Sequence, residues 1–119
     1  MRPKKIPNAH PGEILNEEFL IPLNISMYRL AKDINVSAIR ISEIVRGKRS
    51  ITPDTAIRLG AYFKISPELW IGLQADYDME ETRDRKEAIV KQVKPYKALP
   101  KTKIKAIVKH SLRKIALHR

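Results

Sequence analysis

The sequence contains no cysteine, which excludes a disulfide framework, a thiol nucleophile and a zinc–thiolate site. It has no apolar run near the ~18–20 residues that a membrane-spanning helix needs, and no apolar signal-peptide core at its N-terminus. The alternation of apolar and polar residues that is typical of β-strands is also missing. These absences predict a soluble, all-α protein of the cytoplasm that has no membrane partner.

Acidic side chains are missing from residues 88–119, which carry ten Lys and Arg and therefore a charge of +10. Residues 1–87 are nearly neutral, with fourteen basic and thirteen acidic side chains. The formal net charge of +11 thus lies almost entirely in a C-terminal block. Positive charge concentrated in this way indicates a segment that binds a polyanion.

Groups of residues typical of enzymes are missing as well. His10, His110 and His118 have neither a cysteine nor an H-E-x-x-H pattern beside them, so no metal site is predicted. Glu17 and Glu18 lie near His10, but no nucleophile or phosphate-binding loop accompanies them, and a solvated helix face is the simpler interpretation. We therefore predict no catalytic residues, no cofactor and no enzymatic activity.

Residues 26–49 are predicted to form two short helices joined by a tight turn. Apolar residues recur there at helical spacing in two stripes, Leu30, Ala31 and Ile34 followed by Ile41, Ile44 and Val45. Ser26 and Ser37 stand where N-caps belong, since a serine oxygen can accept from the unpaired amides of the first turn. Asn35 suits a left-handed turn, and Gly47 ends the second helix. This combination is a helix-turn-helix, and it makes DNA the first partner to consider.

Four more helices are predicted around this pair. Pro11, Pro53 and Pro67 suit the first turn of a helix, where proline loses no hydrogen bond, and Pro22 stops the first helix. The predicted helices run from His10 to Pro22, from Ser50-Ile51-Thr52-Pro53-Asp54 through Phe63, from Ser66 through Tyr77 toward Val93, and over Lys101–Leu117. Their predicted core sides are Ile14, Leu15, Phe19 and Leu20; Ala56, Ile57, Leu59, Gly60 and Phe63; and Leu69, Trp70 and Leu73.

The domain organisation follows from these helices and from the charge. We predict an N-terminal arm at residues 1–9, a helix-turn-helix domain at 10–97 and a basic helical extension at 98–119. Trp70 and Tyr77 are expected to be core or dimer-interface aromatics rather than groups that stack on bases.

Residues that read DNA are predicted on the second helix of the pair. On a Ser37–Arg46 helix, residues near the N-terminus reach base edges in the major groove. Ala38 and Ile39 suit thymine methyl groups, whereas Arg40 suits guanine. The predicted base-edge set is Ala38, Ile39, Arg40, Ser42 and Glu43, with Glu43 as an acceptor for cytosine. The alternative is a solvated helix face with one exposed isoleucine.

Phosphate contacts are predicted before and after that helix. Lys48 and Arg49 follow it where backbone contacts usually lie, and the amides that follow Ser26 can bind a phosphate. The predicted phosphate set is Ser26, Met27, Tyr28, Ser37, Arg46, Lys48 and Arg49. For any single member, a solvated side chain or a helix cap is the alternative.

The basic extension has an apolar face and a basic face. The apolar face is Ile104, Ile107, Val108, Leu112 and Ile115, and the basic row, spaced at four, is Lys101, Lys105, Lys109 and Arg113. It could complete a dimer, grip nucleic acid a second time or lie on a membrane surface. No bulky aromatic within it would anchor a bilayer, since Tyr96 stands alone before it. We favour packing combined with contact to the DNA backbone.

Residues 10–78 resemble the HigA/VapI group of helix-turn-helix antitoxins, within the Xre or lambda-repressor-like class. The matching phrases are HPGEILNEEFLIPLNIS at 10–26, LAKDINVS at 30–37, ISEIVRGKRSIT at 41–52 and AIRLGAYFKISPELWIGLQADYD at 56–78. KEAIVKQVKPY at 86–96 is similar to the group's usual ending, which residues 98–119 extend. Asn24 and Asn35 stand where the group mostly has Gly, and both accept a positive φ. Ala38 stands where a longer basic residue is common.

The resemblance implies a five-helix lambda-repressor-like domain and a homodimer. Such a protein represses its own operon at a palindromic operator of double-stranded DNA and neutralises a small ribonuclease toxin. Two alternatives stay open at this point. One is a repressor of this family without a toxin partner, and the other is a general nucleic-acid-binding protein whose basic tail dominates.

Overall fold

The computed structural model describes residues 8–97 and 100–117, and all regular elements in these ranges are helices. This confirms the predicted all-α class. The chain forms two compact units, one ending at Asp84 and the other beginning at Arg85. The division into arm, domain and extension stays a prediction, and its residues 1–7, 98–99 and 118–119 lie outside the described ranges.

The helices of the first unit begin where local capping signals predict. They are α1 (Pro11–Ile14), which continues as a π-helical turn (Leu15–Leu20), α2 (Met27–Asp33), α3 (Ala38–Val45), α4 (Pro53–Phe63) and α5 (Pro67–Thr82). The side-chain oxygens of Ser26, Ser37, Thr52 and Ser66 each accept a hydrogen bond from an amide of the turn that follows. Pro11, Pro53 and Pro67 occupy the first turns of their helices, as predicted.

Among residues 8–97 and 100–117, four have left-handed backbone, each at the end of a helix. Asn24, Asn35 and Gly47 have φ of 55°, 58° and 73°, as their residue types predict. Lys64, with φ of 58°, has no such sequence signal. Its conformation closes the turn between α4 and α5, in which the Ile65 amide donates to the Gly60 carbonyl at 3.0 Å. Gly60 is required there because a Cβ would lie 2.7 Å from the Ile65 carbonyl oxygen.

The hydrophobic core of the first unit draws on the π-helical turn that follows α1 and on α2 to α5. Its buried apolar residues are Leu15, Leu20, Leu30, Ala31, Ile34, Ile41, Ile44, Ile51, Ala56, Leu59 and Trp70. Two predicted core residues were wrong, since Ile57 is 60% exposed and Leu69 is 41% exposed. Each directly adjoins a buried residue, Ala56 or Trp70, and a helix that buries one side turns the neighbouring position away from it.

Trp70 is fully buried, which confirms its predicted place in the core. Its ring lies 5.1 Å from that of Phe19, which in turn lies 5.0 Å from Phe63 (centroid distances). The indole Nε1 has no hydrogen-bond partner among the described residues. Tyr77 is half-buried, and its ring packs against that of His10 in a T-shaped arrangement with a centroid distance of 4.8 Å.

The helix predicted to run from Ser66 toward Val93 is interrupted, which corrects that expectation. α5 ends at Thr82 and is followed by a 3₁₀ turn (Arg83–Arg85) and by α6 (Lys86–Gln92). The Thr82 hydroxyl donates to the Asp78 carbonyl at 2.6 Å. Such a bond back along the helix competes with regular helical geometry and often accompanies a bend.

The second unit contains α6 and α7 (Lys101–Leu117), whose described residues are exposed. The observed bounds of α7 confirm the predicted helix over Lys101–Leu117. In the described part of the chain, no helix has the length and apolar content needed to cross a membrane.

Candidate nucleic-acid interface

The exposed side of α3 is the centre of the candidate interface. Ile41 and Ile44 are fully buried, which turns the first turn of the helix outward. Ala38 is exposed there, and Ile39 is 69% exposed. Ser37 Oγ accepts from the Arg40 amide at 3.1 Å and fixes where the helix begins. The first turn of α3 therefore exposes two apolar side chains, Ala38 and Ile39, to solvent.

The start of α2 is also open to solvent. Ser26 Oγ accepts from the Arg29 amide at 3.0 Å, so this serine caps the helix. Met27 is 41% exposed and Tyr28 is 72% exposed. These three predicted phosphate contacts lie side by side on the surface, and their contact with DNA stays a prediction.

Arg40, the predicted guanine reader, is held by an aspartate of α4. Its Nη1 donates to Asp54 Oδ2 at 3.0 Å, and Arg58 Nε donates to the same oxygen at 2.9 Å. The hydrogen bond from Arg58, with a further one from Arg40, holds the pKa of Asp54 below its usual value. Arg58 is fixed in turn, because its Nη1 donates to the Ile34 carbonyl at 2.8 Å. One Nη1 contact leaves Arg40 most of its donors for another partner.

Glu43 and Arg49 form a second pair within the predicted site. Arg49 Nη2 donates to Glu43 Oε1 at 2.7 Å. The predicted cytosine acceptor and a predicted phosphate contact therefore neutralise each other in the free chain. By contrast, Arg46 and Lys48 are exposed and make no ion pair with a described residue.

The C-terminal end of α3 is positioned by the start of α1. Gly12 lies so close that a Cβ there would fall 1.7 Å from the Ile44 carbonyl oxygen. His10 Nδ1 accepts from the Gly12 amide at 2.9 Å and caps α1. The His10 ring also packs on Gly47, where a Cβ would meet the ring at 3.6 Å. Burial lowers the pKa of His10, although the Asp78 and Glu13 carboxylates act to raise it.

A buried glutamine holds the segment that follows α3. Gln74 is only 6% exposed, its Oε1 accepts from the Ile51 amide at 2.8 Å, and its Nε2 donates to Asp78 at 3.0 Å. This contact ties the connection between α3 and α4 to α5. A buried backbone amide left without a partner would cost about 1–3 kcal/mol, so Gln74 stabilises the connection.

Of the predicted base-edge residues on α3, Ala38 and Ile39 are exposed and Arg40, Ser42 and Glu43 are partly exposed, and the exposed Arg46, Lys48 and Arg49 follow at the C-terminal end of the helix. Sequence reasoning missed Asp54, His10 and Gln74 as supporting residues. The Thr52-Pro53-Asp54 start signal identified an acid in the first turn of α4, but nothing in it indicated Arg40 as a partner. Among the described residues, no group of three or more His, Asp or Glu could hold a metal ion.

Comparisons with known proteins agree with this geometry. The helix-turn-helix family model matches residues 17–70. Virulence-associated protein I of Dichelobacter nodosus is 46% identical over 85 residues, which are 71% of this chain and 79% of that protein. Antitoxin HigA-1 of Vibrio cholerae is 35% identical over 95 residues, covering 80% of this chain and 90% of that protein.

A solved structure extends the likeness to three dimensions. Antitoxin HigA of Pseudomonas aeruginosa, determined with the higBA promoter, superposes with a TM-score of 0.69 at 40% identity. The match covers 75% of this chain and 98% of that chain. The capped helix pair and its exposed second helix define a DNA-binding helix-turn-helix protein. Within that class, the chain belongs to the HigA/VapI family of antitoxin-type regulators.

Proposed function

We propose that this protein is a homodimeric repressor that binds a palindromic operator in its own operon and neutralises a ribonuclease toxin. The exposed first turn of α3 on a rigid helix-turn-helix carries the DNA-binding part. The HigA structure determined with its promoter supports the same use of this fold. We place the protein in the cytoplasm with its DNA, and we assign it no catalysis, because members of its family act as regulators.

In this proposal the base edges are read from Ala38, Ile39, Arg40, Ser42 and Glu43. The phosphates are held by Ser26, Met27, Tyr28, Ser37, Arg46, Lys48 and Arg49. Because Ser26 and Ser37 already use their oxygens as caps, they act mainly by fixing the ends of α2 and α3. Operator binding exchanges the Glu43–Arg49 pair for contacts with cytosine and phosphate.

A matched pair of exposed isoleucines tests base reading. Ile39 and Ile57 are 69% and 60% exposed, and truncating either removes little buried surface. Ile39→Ala should lower the ratio of operator to random-DNA affinity about tenfold, which is about 1.4 kcal/mol. Ile57→Ala should leave the ratio unchanged. A footprint of the wild type on the DNA upstream of its own gene supplies the operator, and equal ratios for both variants would refute base reading by Ile39.

We assign the dimer interface to the exposed apolar side of α5. Ile71 and Met79 are 37% and 67% exposed, and Ala75 lies between them at helical spacing. A second copy packed there leaves both α3 surfaces available for half-sites roughly 34 Å apart. Light scattering should report a dimer for the wild type and a monomer for the double variant Ile71→Glu, Met79→Glu. Ile57→Glu is the control, and a dimer in all three proteins would place the interface elsewhere.

The toxin is the part of the proposal that depends most on the family. We expect a short neighbouring reading frame to encode a ribonuclease whose mRNA cleavage stops when this protein is added. Cleavage that continues at a twofold excess of this protein would leave an operator-binding repressor without a toxin partner.

A further inference from the structure

The strongest charge on the protein belongs to the second unit and not to the unit that contains the helix-turn-helix. α7 carries six basic residues and no acidic residue: Lys101, Lys103, Lys105, Lys109, Arg113 and Lys114. Each of these side chains is exposed, and none makes an ion pair within residues 8–97 and 100–117. A helix with these properties presents an uncompensated row of cations.

The first unit offers much less positive charge to a polyanion. From residue 1 to Asp84 the chain has twelve Lys and Arg and twelve Asp and Glu, whereas the remainder has twelve Lys and Arg and one Glu. Arg40, Arg49 and Arg58 are moreover paired with carboxylates near α3. Sequence-independent DNA affinity comes from cations that neutralise phosphates, and the first unit supplies few.

We propose that α7 is a second DNA-binding element, which binds the phosphate backbone of the duplex whose half-site α3 reads. The row Lys101, Lys105, Lys109 and Arg113 rises about 6 Å per step and about 18 Å in all. A DNA strand presents one phosphate per 3.4 Å of helix axis, so about five phosphates lie within that span. This inference rests on DNA binding by the helix-turn-helix, which holds α7 near the duplex at high effective concentration.

DNA fits this helix better than an anionic bilayer does. The apolar residues of α7 are aliphatic, and helices that lie in a membrane interface usually also carry aromatic anchors. Ser111 falls within the apolar face, where its hydroxyl donates to the Ile107 carbonyl at 3.0 Å. The DNA duplex bound by the helix-turn-helix is also a polyanion, and the same chain carries α7.

Full-length variants test whether α7 binds the DNA phosphate backbone. The quadruple variant Lys101→Gln, Lys105→Gln, Lys109→Gln, Arg113→Gln keeps good helix formers and removes only the charged row. Its salt slope of binding to random duplex should fall by about 0.9 per lost contact, up to about 3.6. Operator and random-DNA affinities should fall by the same factor, so that operator preference is kept. The control Ile104→Ala, Val108→Ala, Leu112→Ala retains every charge and should keep the wild-type slope.

Equal slopes for the wild type and the glutamine variant would overturn the proposal. Sedimentation with vesicles of phosphatidylcholine and phosphatidylglycerol would then identify a bilayer as the partner if only the wild type co-sediments. A change of oligomeric state in the alanine control, with the slope of the glutamine variant unchanged, would instead assign α7 to a second copy. If the salt slope falls in the glutamine variant but the wild type shows no preference for an operator, the operator proposal is contradicted. Binding of DNA by α7 then still holds.

Discussion

At Gly12, the lack of a side chain sets how closely α1 approaches α3. Gly12→Ala would place a methyl carbon 1.7 Å from the Ile44 carbonyl oxygen, which is backbone and cannot rotate away. We expect the free energy of unfolding to fall by about 1–3 kcal/mol or more, as in overpacked cores, because the start of α1 or the end of α3 must move. Chemical denaturation measures this. The neighbouring exposed Glu13 is the control, since Glu13→Ala adds nothing against Ile44 and should cost less than about 1 kcal/mol. Equal losses would show that the contact is easily relieved.

His10 makes the stability of the protein depend on pH. Its Nδ1 accepts from the Gly12 amide and is lost as an acceptor on protonation, while burial lowers the pKa of His10 from 6.5. The unfolded chain therefore binds the proton more readily than the folded one does. The contribution of the neutral His10 to stability is fully present above pH 6.5, and it is lost as the pH falls through the lower pKa of His10 in the folded protein. His10→Asn places an oxygen the same number of bonds from the backbone and should keep the cap without this pH dependence. Urea unfolding at about pH 7.5 and 5.5 compares the two proteins, and an unaltered pH dependence in the variant would assign it to other groups.

At the scale of the helices, Asp54 of α4 determines what Arg40 of α3 can do. Asp54→Asn removes the carboxylate that orients the Arg40 guanidinium, although this exposed pair contributes little to stability. We expect the ratio of operator to random-DNA affinity to fall, while random-DNA affinity stays level or rises because a negative charge is lost. Glu80→Gln makes the same charge change beside Arg83, on α5, and should leave the ratio unaltered. If the ratio instead rises in Asp54→Asn, then Asp54 competes with DNA for Arg40 rather than orienting it.

The helices themselves could be predicted where their causes are local in the sequence. Ser26, Ser37 and Ser66 cap helices as expected, since a cap needs only the residues of its own turn. The break after Thr82 could not be predicted from such a signal: the Thr82 hydroxyl donates to the Asp78 carbonyl, but Ser111 makes the same bond to Ile107 within the unbroken α7. Periodicity likewise indicates the exposed face of α3, but it cannot indicate the Arg40–Asp54 pair, whose partners are 14 residues apart.

Across the whole molecule, packing and charge are concentrated in different units. In the described chain, every buried apolar core residue belongs to the unit that ends at Asp84. The apolar residues of α6 and α7 are exposed. The sequence showed the basic block of the second unit but could not show this exposure, because a regular apolar stripe is equally compatible with burial. Stability should therefore reside in the first unit, and α7 should be able to change without unfolding the protein.

Two leucine truncations test this separation. Leu59 is fully buried, so Leu59→Ala should lower the free energy of unfolding by about 2–5 kcal/mol through lost burial and a residual cavity. Leu112 is 61% exposed on α7, so Leu112→Ala should change it by less than about 0.5 kcal/mol. Denaturant titration followed by fluorescence of Trp70, the single tryptophan and fully buried, reports on the first unit in both variants. A midpoint for Leu112→Ala as low as that for Leu59→Ala would mean that α7 buries its apolar face in the folded protein in solution.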